Sequence, residues 1–213
     1  MTTNITTKLK LTKLAVICLF WSLLLIFMPS TAVAHTGTGN VGGLISGMRH
    51  PISGLDHIVA MVAVGIWGAF IGGRAMWLLP VVFPVVMAFG GGLGVLAVQL
   101  PGIETAKVIE TGIAISAITL GAMVALAARP PLWVAALIVG FFAIFHGYAH
   151  GAELPEAANA LTYAVGFVVV TGLLHLSGIA IGLLVRWPWG KITVRAAGVV
   201  IAGIGTGFLF GLL

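Results

Sequence analysis

Residues 50–70 read HPISGLDHIVAMVAVGIWGAF. The first eight hold two histidines and an aspartate, and the thirteen after them hold no charge. Such a run is too long and too unalternating for a barrel strand, so it reads as a helix in an apolar medium. Its rare polar residues stand at its mouth. An ionisable side chain near a bilayer costs free energy, so each of them needs a chemical reason.

The rest of the chain repeats the pattern. Of its 213 residues, 60% are hydrophobic and only 7% charged, against about 25% charged in a soluble domain. This points to an all-α polytopic membrane protein. The acidic residues are Asp56, Glu104, Glu110, Glu153 and Glu156, and the histidines are His35, His50, His57, His146, His150 and His175. The net charge of +5 comes from scattered basic residues without a stripe, which argues against nucleic acid as a partner. Cys18 is the lone cysteine, so a metal would be held by imidazole, carboxylate, backbone or water.

Residues 1–34 have the parts of a secretory signal peptide: Lys8, Lys10 and Lys13, an apolar run over 14–28, and Ala32-Val33-Ala34 as a small-residue cleavage site. The competing account is an uncleaved first transmembrane helix. Cleavage after Ala34 makes His35 the new N-terminus. Its α-amine and imidazole then chelate a divalent cation, unless His35 only begins a mobile tail.

About twenty apolar residues cross a bilayer core. Six runs qualify: 54–73, 76–98, 106–128, 132–150, 158–185 and 194–213. The expected organisation is a single six-helix transmembrane domain over 35–213. With an exported N-terminus, Arg74, Arg129, Arg186, Lys191 and Arg195 fall on the cytoplasmic side. Arg49, Lys107, Glu104, Glu153 and Glu156 fall outside. This obeys the positive-inside rule and puts both mature termini on the outer face of the inner membrane. The glycine pairs Gly68/Gly72, Gly90/Gly94, Gly147/Gly151, Gly178/Gly182 and Gly203/Gly207 let helix backbones approach closely. Glycine-rich faces of this kind also admit a homo-oligomer.

The residue before a proline avoids helix, so His50-Pro51 is expected to end an extended or interfacial segment. Asp56 and His57 then occupy the first turns of the first span, where Asp56 also suits a helix cap. A second cluster, FHGYAHGAE, covers residues 145–153. His146 and His150 are four apart and share a helix face, and Glu153 extends that stripe. Both clusters reach the outer membrane level. Imidazole pairs with neighbouring carboxylates suit Ni²⁺, Co²⁺ or Zn²⁺. His175, inside the fifth span, is either a second station along a path or a hydrogen-bonded packing residue. Glu110 either pairs with Lys107 or lines the outer vestibule.

Two signatures carry a resemblance. His50, Asp56 and His57, in the context HPISGLDHIVAMVAVGIWGA, and FHGYAHGAE at 145–153 are similar to the two signatures of the HupE/UreJ family. The resemblance spans nearly the whole mature chain. It implies an inner-membrane nickel permease, cobalt being the other candidate cation, that supplies hydrogenase or urease maturation without ATP hydrolysis. It further implies that His50, Asp56, His57, His146, His150 and Glu153 are the functional residues. The partners are then a divalent metal ion as cargo, with no tightly bound cofactor, and the lipid bilayer. The chain is on this reading not an enzyme. Two rivals stay open on the residues alone: an intramembrane zinc-dependent hydrolase using the same cluster, and a b-type cytochrome with axial histidines.

Overall fold

The computed structural model describes residues 39–99, 104–154 and 159–213. The expected signal peptide over residues 1–34, His35 and Glu156 lie outside them. The described residues are helical, with no strand among them. Helix α1 (Gly39–Arg49) leads into a 3₁₀ turn (His50–Ile52). Then follow α2 (Leu55–Ile71), α3 (Ala75–Val95), α4 (Thr105–Ala125), α5 (Leu132–Ala152) and α6 (Ala160–Gly182). A second 3₁₀ turn (Leu183–Arg186) precedes α7 (Pro188–Leu209).

Five helices, α3 to α7, are long and apolar enough to cross a membrane. Helix α2 is shorter, at 17 residues. Together with the segment before it, across a bend of 77°, it passes the same test as a pair, so the described residues hold five candidate spans, or six if the bent pair is one. This corrects two expectations. The segment before His50, expected to be extended or interfacial, is helical and so not extended; Pro51 sits in the first turn of a new 3₁₀ segment, where a missing N–H costs nothing. The last span begins at Pro188 rather than near Val194, Pro188 being an ordinary helix-starting residue.

The outer surface is apolar. On α3, Trp77, Val81, Val85 and Phe89 recur every four residues and are each between 57% and 64% exposed, whereas Leu79, Phe83 and Met87 on the opposite face are buried. Exposed apolar residues recur in the same way on α5 (Trp133, Leu137, Phe141) and α6 (Leu161, Val165, Val169, Leu173), a surface unsuited to water and suited to lipid. The chain is a membrane protein.

Packing is pairwise: α3 runs along α5, α4 along α7, and α6 along both α1 and α2. Glycine makes each seam. A Cβ on Gly147 would collide with the Met87 carbonyl, and one on Gly94 with that of Tyr148. Gly178 meets the Val62 carbonyl, Gly198 meets the backbone of Gly121, and Gly47 meets that of Tyr163. Without a hydrophobic force between helices in lipid, close backbone contact is the main source of cohesion. Two expected pairs depart from this. Gly72 has φ +83° and ends α2, and Gly203 has nothing near it within the chain.

The end of the bundle remote from the histidines is tied by basic and aromatic side chains. Arg195 Nε donates to the Ala125 carbonyl at 2.7 Å, and Trp67 Nε1 to that of Ala128 at 2.9 Å. The Arg129 guanidinium lies 4.8 Å above the Phe70 ring. The two hydrogen bonds satisfy carbonyls that the end of α4 leaves without helical partners.

Candidate metal centre

The first cluster is shaped by its own local sequence. The Ser53 hydroxyl donates to the His50 carbonyl at 2.6 Å and closes the turn. Gly54 is the N-cap of α2, and no side chain caps it. Asp56 therefore does not serve as the cap. It turns to its neighbour, with Oδ1 2.9 Å from His57 Nδ1. A carboxylate oxygen accepts, so Nδ1 carries the proton and the Nε2 lone pair is free. That Nε2 is buried without a protein partner.

Helix α5 brings the second cluster. His146 and His150 are buried on one face, and Glu153 is the C-cap residue, exposed at the surface. The two clusters meet. His50 Nε2 lies 3.1 Å from Glu153 Oε2. The His50 and His150 ring centroids are 4.6 Å apart, those of His57 and His150 4.4 Å, and those of His57 and His146 5.0 Å. Donor atoms of His50, His150 and Glu153 all lie within 4.8 Å of one another. Three ligands at about 2.1 Å from one ion stand about 3.5 Å apart, so this triad is a candidate site whose donors would have to draw together around a cation. His150 links it to the deeper pair, His57 and His146. Both nitrogens of His150, and Nδ1 of His146, are buried without a protein partner. Buried polar atoms are normally bonded, so these unpartnered imidazole nitrogens make the cluster a candidate ligand site.

A cavity of about 620 Å³ opens onto this cluster, lined among others by Asp56, His57, Lys107, Glu110, Tyr148 and Glu153. Lys107 and Glu110 make no ion pair with each other; both face the vestibule. Glu104 is exposed at the start of α4.

His175 stands apart from the other histidines. It is buried on α6, with Nδ1 2.8 Å from the Met61 carbonyl. The carbonyl only accepts, so the His175 Nε2 lone pair is free, and it too lacks a partner. Phe83 separates it from the outer cluster. The Phe83 ring is fully buried, 5.4 Å from His146 and 5.5 Å from His175.

Phe83 and Ser116 are the residues that reading the sequence missed. Ser116 Oγ lies 2.8 Å from His146 Nε2. Neither residue carries a motif. The signal available for Ser116 was a hydroxyl inside an otherwise apolar stretch of α4.

The HupE / UreJ protein family model matches residues 23–208. Protein HupE from Rhizobium leguminosarum bv. viciae is 44% identical over 184 residues, covering 86% of this chain and 93% of that protein. No solved structure matches. A family match over most of the length, with a relative of that identity and coverage, settles the family: the chain belongs to the HupE / UreJ proteins.

Proposed function

We propose that this protein is an inner-membrane permease that carries Ni²⁺, or Co²⁺, inward without ATP and supplies the maturation of a nickel enzyme such as hydrogenase or urease. The observation that carries the reading is the convergence of four imidazoles and two carboxylates beneath an open, partly acidic cavity. Nickel in particular rests on family membership.

In this reading Glu104, Glu110 and Glu153 attract the cation. His50, His150 and Glu153 take it first and displace part of its water. His57 and His146 receive it next, and His175 beyond Phe83 is the inner station. The mature amine and imidazole of His35 deliver the ion to the mouth. Binding at each station must stay weak enough to release. Counting the bent pair as one span and taking the N-terminus as exported, both mature termini lie outside and the basic end of the bundle in the cytoplasm, as the positive-inside rule favours. A homo-oligomer would use glycine faces left open within the single chain, such as those at Gly172 and Gly203.

The rival reading is a zinc hydrolase. It draws on the same triad, because two histidines and a glutamate with an open position are a hydrolytic zinc set. The two differ in retention: an enzyme holds its metal through purification, and a permease exchanges it.

The test is uptake of radioactive nickel into cells without their own nickel importers, comparing wild type with His57→Ala. Accumulation in the wild type alone, displaced by cobalt more than by zinc, is the expected result. A well-inserted wild type that accumulates no nickel but retains zinc stoichiometrically would transfer the assignment to the hydrolase.

A further inference from the structure

Ser116 makes two contacts. Its Oγ is 2.6 Å from the Ile113 carbonyl, one turn back on α4, and 2.8 Å from His146 Nε2 on α5. A carbonyl oxygen only accepts, so the hydroxyl proton goes to Ile113. Oγ then offers His146 a lone pair, and Nε2 must be the nitrogen that carries the imidazole proton. The opposite nitrogen, Nδ1, keeps its lone pair and is buried without a partner among the described residues, on a ring 5.0 Å from that of His57. Both residues have no solvent exposure, so no water competes for these bonds at the surface.

We infer that Ser116 is the positioning residue of the cation path: it holds His146 in the tautomer and rotation that present Nδ1 to the cargo. The Ile113 carbonyl orients Ser116 in turn. Asp56 does the corresponding work on His57 from the other side of the site. This inference rests on the permease reading above. An imidazole oriented in this way binds a cation without first reorganising, and loss of such an outer partner typically lowers metal affinity about 10- to 100-fold.

The experiment measures ⁶³Ni²⁺ uptake against concentration in importer-deficient cells, with the amount of protein in the membrane quantified for each variant. Ser116→Ala is expected to raise half-saturating nickel by about 10-fold or more at unchanged membrane level. Ser116→Thr, which keeps the hydroxyl, is expected to restore at least part of that loss. The ¹⁵N-histidine spectrum of the full chain in detergent, with His146 assigned by its disappearance in His146→Ala, is expected to show the proton on Nε2. Wild-type half-saturation in Ser116→Ala, or a wild-type His146 carrying its proton on Nδ1, overturns the inference. Should Ser116→Ala fail to reach the membrane, the nitrogen spectrum of the wild type decides by itself. The two readings fail separately. Undiminished uptake in His146→Ala removes the site, whereas uptake that depends on His146 and ignores Ser116 removes only the positioning role.

Discussion

At the scale of single residues, the site divides its carboxylates into two jobs. Asp56 is bonded to His57 and half-shielded; Glu153 reaches His50 from an exposed position. Asp56→Asn keeps the shape but can turn its amide donor toward Nδ1, which frees the tautomer of His57. Its expected effect is a rise in half-saturating nickel of about 10-fold or more at normal membrane level, read from a concentration series. Protons and cations compete for the same imidazole lone pairs. Uptake is therefore expected to decline as the external medium is acidified below about pH 6, measured at constant membrane potential. A profile that stays flat until the protein itself unfolds in acid would exclude imidazole as the limiting ligand. The sequence already offered a carboxylate beside each histidine cluster to orient an imidazole or ligate directly, with a helix cap as the other reading of Asp56; which imidazole it holds came only from the fold.

At the scale of elements, helix ends and helix seams make opposite demands on small residues. Helices α3 and α4 end with alanine in the left-handed region, Ala97 at φ 50° and Ala127 at φ 57°. Ala127 N–H donates to the Val124 carbonyl and Ala128 N–H to that of Met123, the paired pattern that closes a helix with a left-handed residue. A non-glycine residue there costs about 1 kcal/mol. Ala127→Gly is expected to raise the melting temperature in detergent, with a net gain of at most about 1 kcal/mol after the unfolded chain's added freedom is counted. In the seams the sense reverses. Gly147→Ala puts a methyl against the Met87 carbonyl and is expected to cost about 3 kcal/mol, seen as loss of folded protein from the membrane. Gly203→Ala, with open space around it, is expected to be neutral or slightly stabilising by the same assay.

At the scale of the whole molecule, the bundle has two chemically distinct ends. Histidines and carboxylates gather at the starts of α2 and α4 and the end of α5. Arg74, Arg129, Arg186, Lys191 and Arg195 gather at or near the other ends of the helices. That asymmetry predicts that single cysteines at Gly73 and Ala128 react only with reagents that enter the cytoplasm. A cysteine at Glu104 is expected to react with an impermeant reagent from outside. The reverse labelling would invert the proposed direction of transport.

Much of this was legible in the chain before any coordinates. Hydropathy gives each span its length, because the bilayer thickness sets how many apolar residues a helix needs, and α3 to α6 lie within a few residues of the predicted runs. Spacing put His146 and His150 on one helix face, since the helical period is a local property. Three things were not local. The helix before His50 depends on packing against α6, and so a proline rule that considers neighbours alone misread it. Ser116 is thirty residues from His146 in sequence, and Phe83 comes between two histidines from two other helices. Such partners are chosen by which helix seams close. Those seams are set by glycines meeting backbone across the bundle, a contact that no periodicity within a single segment contains.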